Sequence, residues 1–107
     1  MMDEKYILEG KEPVAVDLIS WASWYGKADR KVKKDKVGDV SVSTVFLGLD
    51  HQWGDGPPLL FETMVFGGEL DQEMDRYSTW EEAESGHAKM VERVKDYQRP
   101  TKKARRK

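Results

Sequence analysis

The residues best suited to chemistry lie in one Gly/Pro-rich segment, residues 50–58, which reads DHQWGDGPP. An aromatic side chain held on a stiff loop adds contact area at a small entropic cost, as binding hot spots do. The alternative for Trp53 is that its ring folds back and caps the end of a sheet. We predict a binding site for a protein or a small ligand, made of an imidazole, an amide, an indole and two carboxylates: Asp50, His51, Gln52, Trp53 and Asp55.

Metal and catalytic chemistry both lack a complete set of residues. The possible metal ligands are His51 with Asp50 and Asp55, His87, and Glu62. The chain has no cysteine and no His-Glu-x-x-His motif, however, and zinc sites usually need three or four ligands. A Ser or Thr nucleophile would depend on one of only two histidines, without a nucleophile-elbow sequence. The prolines in residues 54–58 lack the N–H donors of a phosphate loop. We therefore expect no metal, no cofactor and no enzymatic activity, and a packed, hydrogen-bonded His87.

Basic residues concentrate in two segments of an otherwise acidic chain. Residues 27–36 hold six Lys/Arg and two Asp, and residues 99–107 hold six Lys/Arg and no acid. Residues 1–98 therefore carry 12 basic and 20 acidic side chains, a net charge of −8. Lysines that protect an edge strand from aggregation suffice to explain the first segment. The alternative is sequence-independent nucleic-acid binding through these residues: Lys31, Lys33, Lys34, Lys102, Lys103, Arg105 and Arg106.

Two β-rich runs flank the 50–58 segment and predict neighbouring strands of one sheet. In residues 40–49 the apolar side chains first alternate and then occupy both faces, which favours a central strand. Residues 59–66 follow a similar pattern. Glu62 within them must face solvent or pair with a cation, because burying it alone would cost several kcal/mol. Shorter strands are expected at residues 6–8, 32–37 and 74–78.

Two helices are expected to pack against this sheet. Asp17 is a suitable N-cap for a short helix whose stripe is Leu18, Trp21, Ala22 and Tyr25, and we expect Trp21 and Trp24 in the core. Ser78 and Thr79 each precede a glutamate by three residues, which is capping-box spacing, so a second helix should cover residues 80–97. Gly86 inside that helix predicts that another group packs closely there.

The predicted fold is α+β. It is a two-layer arrangement of a mainly antiparallel three- to four-stranded sheet, a C-terminal helix packed across it and a short N-terminal aromatic helix. We expect residues 1–98 to form a single domain and residues 99–107 to form a disordered basic tail. No apolar run approaches the roughly 20 residues of a membrane span, so a soluble intracellular protein is expected.

Three phrases of the sequence are distinctive: STVFLGLDH (43–51), GPPLLFETMVFGG (56–68) and YSTWEEAESGH (77–87). They resemble a family of small proteins encoded by bacteriophages and prophages, over about residues 13–95. The resemblance implies a phage or prophage origin and expression in the cytoplasm of a bacterial host, and it supplies no activity. We predict a non-enzymatic accessory protein that binds a host or phage component through residues 50–58. An exposed sheet edge could also pair two copies into a homodimer.

Overall fold

The structure, a computed structural model, describes residues 4–99. Residues 100–107, with the predicted nucleic-acid-binding residues Lys102, Lys103, Arg105 and Arg106 and most of the expected tail, lie outside the described residues. In the described part the elements follow in this order: β1 (Lys5–Glu9), β2 (Glu12–Val16), α1 (Leu18–Tyr25), β3 (Lys31–Val37), β4 (Val40–Phe46), β5 (Phe61–Phe66), β6 (Met74–Tyr77) and α2 (Trp80–Gln98).

The main sheet is an antiparallel meander of four strands in the order β3-β4-β5-β6. The predicted neighbours, β4 and β5, pair directly, with Phe46 opposite Phe61. Strand β4 has strict alternation, with Val40, Val42, Thr44 and Phe46 buried beneath α2 and the residues between them half-buried. Together with α2 across one face, the sheet confirms the predicted α+β, two-layer fold. Arg76 of β6 binds Glu62 at 3.1 Å, which is one of the two alternatives predicted for this residue.

A second, two-stranded sheet is a hairpin of β1 and β2, and its second strand was not predicted. Pro13 lies inside β2, where its missing N–H weakens the sequence signal for a strand. The hairpin closes through a two-residue turn in which Gly10 has φ +65°, a left-handed conformation that favours glycine. It joins the rest of the molecule where Tyr6 N donates to the Gly48 carbonyl over 2.9 Å.

Helix α2 begins with the predicted capping box. The Thr79 hydroxyl accepts from Glu82 N, and the Glu82 carboxylate accepts from Thr79 N. These bonds satisfy backbone donors that the first turn of a helix leaves without partners. The buried face of α2 contributes Ala83, His87, Met90 and Val94 to the core.

Gly86 of α2 lies directly against the ring of Tyr77. A Cβ at position 86 would overlap the Tyr77 hydroxyl and ring carbons, so the close packing that the glycine predicted is present. Burial raises the pKa of the Tyr77 hydroxyl above its ordinary value of 10.0. That hydroxyl is buried without a hydrogen-bond partner among residues 4–99.

Helix α1 docks through a different face from the one expected. Leu18 and Ala22 are exposed, while Trp21, Trp24 and Tyr25 are half-buried. The predicted stripe was therefore wrong at Leu18 and Ala22, because the indoles set the rotation of the helix. Trp21 Nε1 donates to the Gly48 carbonyl over 3.1 Å, and the Trp24 ring meets Phe46 edge to face at 5.8 Å. Asp17 caps this helix as predicted, accepting from Ser20 N.

Candidate functional site

The 50–58 segment, called the binding loop below, is closed at its base by one carboxylate. Asp50 Oδ1 accepts from Gln52 N at 2.8 Å and from Leu59 N at 3.0 Å, so it ties the first residues of the loop to the residue that follows it. The backbone adds a bond from His51 N to the Leu59 carbonyl. Asp50 therefore accepts two hydrogen bonds from backbone N–H groups at the base of the loop and holds the loop in shape.

Two further predicted residues also turn toward the loop itself. His51 Nδ1 lies 2.9 Å from the Leu49 carbonyl, and because a carbonyl can only accept, Nδ1 is the donor. Gln52 Nε2 donates to the Pro57 carbonyl over 2.9 Å, which spans the loop. Its amide also lies over Gly56, where a Cβ would come within 2.6 Å of Nε2. His51 and Gln52 thus shape the loop together with Asp50.

The remaining two predicted residues, Trp53 and Asp55, point outward. Trp53 is 91% exposed, and Asp55 is exposed two residues later. The alternative in which the indole caps the sheet was wrong, because the bonds of Asp50, His51 and Gln52 hold the backbone in a course that carries the ring away from the core. A large aromatic side chain left in water forgoes a burial free energy on the order of 2–3 kcal/mol, which a contacting partner could recover.

Two other large apolar side chains are exposed on α1. Leu18 and Ile19, in the first turn of α1, are 59% and 80% exposed. The Trp21–Gly48 hydrogen bond fixes α1 against the chain just before the binding loop. Helix α1 therefore presents aliphatic surface to solvent at Leu18 and Ile19, whereas the sequence pattern predicted Leu18 against the sheet.

A buried polar cluster around His87 was only half anticipated. His87 is 1% exposed and hydrogen-bonded, as expected, with Nδ1 2.7 Å from Thr44 Oγ1 and Nε2 2.8 Å from Asp35 Oδ2. The order Thr, His, Asp is that of a nucleophile, a base and an orienting acid. Thr44 is fully buried and also hydrogen-bonded to Thr63, so a substrate has no path to its hydroxyl. The cluster is suited to joining α2 to the sheet.

Asp35 is the member of this cluster that the sequence did not single out. It lies in the lysine-rich strand, which was interpreted as a solvated edge. The alternation of side chains along the strand could have predicted this position. Val37 faces the core, and Asp35, two residues earlier, must lie on the same side of the strand. A charged residue on an inward-facing position requires a polar partner, which His87 supplies.

The three lysines predicted to contact nucleic acid do not share a face. Paired residues of neighbouring strands project on the same side of a sheet. Lys34 is opposite Ser43, on the side away from α2, whereas Lys33 is opposite Thr44, on the side that α2 covers. A register shift between Lys31 and Lys33 places Lys31 back on the same side as Lys34, opposite Val45.

Neither the groove between β3 and α2 nor the metal-ligating side chains of the described residues give a competing candidate of clear chemistry. The groove between β3 and α2, about 490 Å3 in volume, is lined by charged side chains of both signs and so prefers neither sign of charge: Lys33, Lys95, Asp35, Glu84 and Glu92. Within residues 4–99, no group of three or more His, Asp or Glu side chains could hold a metal ion. Across the same range no helix is both long and apolar enough to cross a membrane.

No family model, curated protein or solved structure matches the chain. The resemblance to phage-encoded proteins therefore stays a prediction from the sequence phrases alone. The chemistry of the site must therefore be inferred from its geometry. Asp50, His51 and Gln52 fix the loop through internal hydrogen bonds, and the Trp53 indole is exposed to solvent.

Proposed function

We propose that the protein is a small accessory protein of a bacteriophage or prophage that binds a protein of the phage or of its host. In this proposal it acts in the cytoplasm of the bacterial cell and catalyses no reaction. The observation that carries the proposal is Trp53, 91% exposed on a loop whose base is fixed by Asp50.

A protein partner suits this geometry better than a small ligand does. Small ligands bind in concave pockets that surround most of their surface. Trp53 instead projects outward, with exposed neighbours from Gly54 to Pro57, so the concave side of the contact must come from the partner. A partner pocket that receives one tryptophan is the usual arrangement of a protein–protein hot spot.

The loop is preorganised, which supports a binding role. The Asp50 bonds, the Gln52–Pro57 bond and the two prolines restrict the loop before any partner arrives. Little conformational entropy remains to be lost on association, so more of the contact energy of the indole appears as affinity. Asp55 is exposed two residues after Trp53 in the same loop, and its carboxylate favours a partner surface with basic groups.

Capture from a lysate of the bacterial host tests this role. The tagged full chain is compared with Trp53→Ala and with the control Tyr97→Ala, which removes a half-exposed aromatic ring from the far end of α2. We expect Trp53→Ala to lower the amount of a specifically captured protein by about 30-fold, the effect of a 2 kcal/mol hot spot. Tyr97→Ala should capture as much as the full chain. Equal capture by all three would exclude Trp53 as the contact.

The homodimer remains a separate prediction. One edge of the main sheet is the lysine-rich β3 and the other is the four-residue β6. Lysines and short strands both disfavour edge-to-edge pairing. Light scattering during size exclusion distinguishes the 12.4 kDa monomer from a species of twice that mass.

A further inference from the structure

Within residues 4–99, no helix covers one of the two faces of the main sheet. Helix α2 packs on the side of Val42, Thr44 and Phe46. The strand register assigns eleven other residues to the opposite side, because cross-strand partners project on the same side of a sheet. We call these the open face, which has three rows: Lys36, Ser41 and Phe66; Lys34, Ser43, Met64 and Met74; and Lys31, Val45, Glu62 and Arg76.

The open face combines an aromatic ring with small polar groups. Phe66 is 49% exposed although it lies in a sheet strand, and Met64 and the two serines are half-buried beside their neighbours. Because serine side chains are short, the middle of the open face presents hydroxyl groups close to the backbone of the sheet. A flat surface of this kind can receive a planar group on Phe66 while the hydroxyls hydrogen-bond to its edge.

The charge of this face is opposite to that of the rest of the chain. Lys34 and Lys36 are joined on it by Lys31, opposite Val45, and by Arg76, opposite Glu62. Glu62 is the acidic residue among these. Because Arg76 binds its carboxylate at 3.1 Å, Glu62 should repel an incoming anion only weakly. Yet residues 1–98 carry a net charge of −8. A positive face on an acidic body is complementary to a polyanion.

We propose that the open face binds single-stranded nucleic acid. The lysines neutralise phosphates along β3, one base stacks on Phe66, and the serine hydroxyls contact sugar or base edges. Three gaps of about 4.8 Å between four strands make the sheet about 14 Å wide. A duplex is disfavoured, because its major groove admits a helix or a two-stranded ribbon and is narrower than this sheet. The site is independent of the binding loop and of its partner.

The test is fluorescence anisotropy with a labelled 12-nucleotide oligothymidine and, separately, a 12-base-pair duplex, over a series of salt concentrations. The full chain is compared with the double variant Lys34→Glu/Lys36→Glu. The matched control, Lys33→Glu/Lys89→Glu, makes the same charge change on the same strand and on α2 but off the open face. Phe66→Ala removes the stacking ring at unchanged charge, and circular dichroism establishes that each variant is folded.

We expect the full chain to prefer the single strand. The double variant on the open face should bind at least tenfold more weakly, and its salt slope should be smaller by about 1.4, which is about 0.7 for each phosphate that a lysine no longer neutralises. Phe66→Ala should lower the affinity about fivefold or more, since stacking of a base on an aromatic ring is sequence-tolerant but strong. For the matched control, the decrease in the logarithm of the affinity should be less than half of the decrease measured for the open-face variant.

Four results would overturn the assignment. An equal fall in affinity in the two double variants would mean that net charge alone governs binding. Unchanged binding in the open-face variant would assign it to other basic residues, such as those of 99–107. Tighter binding of the duplex than of the single-stranded oligothymidine would identify another ligand for the open face. The same conclusion would follow if polyglutamate, added as an acidic polypeptide competitor, bound more tightly than the oligothymidine. Absence of any binding at low salt would remove the site.

Discussion

His87 of α2 and Asp35 of β3 lie 2.8 Å apart, with the imidazole Nε2 donating to the carboxylate Oδ2. Its other nitrogen, Nδ1, lies 2.7 Å from Thr44 Oγ1, and Thr44 is bonded in turn to Thr63. One side chain thereby connects the helix to three strands of the sheet. Because the ring is almost fully buried, removal of either partner would leave one of its polar atoms unpaired.

Removing the carboxylate partner should destabilise the fold. We expect Asp35→Ala to lower the free energy of unfolding by about 1–3 kcal/mol, because His87 Nε2–H then lacks an acceptor in the interior. Asp35→Asn keeps an acceptor and should cost less. Urea denaturation gives both values, with the exposed groove residue Glu84→Ala as the control, expected within about 0.5 kcal/mol of the full chain. An Asp35→Ala chain as stable as the control would show that the bond contributes nothing.

Gly86 offers a prediction opposite in sign to helix propensity. Alanine stabilises a helix by about 1 kcal/mol relative to glycine. At position 86, however, its Cβ would overlap the Tyr77 ring, so we expect Gly86→Ala to destabilise the protein by about 1–3 kcal/mol. Thermal unfolding measures this against Ser85→Ala, an exposed position on the same helix. A stabilised Gly86→Ala would mean that the ring moves away at little cost.

Trp53 should dominate the solvent-accessible fluorescence of the protein. The other three tryptophans, Trp21, Trp24 and Trp80, are each half-buried. Replacing Trp53 by Phe should therefore shift the emission maximum to shorter wavelength and reduce quenching by iodide more than twofold. Replacing Trp24 by Phe should leave the quenching nearly unchanged. Quenching that falls equally in the two variants would contradict the outward position of Trp53.

Asp17, the N-cap of α1, should make the stability of the protein fall at acid pH. The hydrogen bond from Ser20 N holds the pKa of Asp17 below its ordinary value of 3.8. A carboxyl with a depressed folded-state pKa stabilises the protein above its unfolded pKa, and this contribution disappears as the pH falls from about 3.8 through the folded-state value. Asp17→Asn should remove this step from the difference in unfolding free energy between pH 6 and pH 2.5. The same pH dependence in both chains would exclude this role.

The sequence predicted those parts of the fold that depend on local periodicity. The apolar residues that occupy both faces in the second half of residues 40–49 predicted a central strand, and the Thr79–Glu82 spacing predicted the start of α2. Both signals are local, so the residues that carry them lie within one element. The close contact at Gly86 was also predictable, because a glycine inside a capped helix needs a reason.

Features set by tertiary contacts were not predictable. The rotation of α1 follows from the Trp21 bond to Gly48, which lies 27 residues away in the chain. Strand alternation alone separates Lys33 from Lys34, but the separation of Lys33 from Lys31 follows from the register shift in β3, which the sequence did not indicate. In the binding loop, residue types indicated a site, but they could not separate the bracing residue Asp50 from the outward-facing Trp53.

The central claim is that the tip of the binding loop contacts a protein partner, and photo-crosslinking in the bacterial host tests it most directly. A photoreactive phenylalanine derivative replaces Asp55, which leaves Trp53 intact, and in a control chain it replaces Lys89 on the exposed side of α2. We predict one discrete crosslinked protein from position 55 that is lost when Trp53→Ala is added, and none from position 89. The same products from both positions, or a product from position 55 that survives Trp53→Ala, would contradict the account.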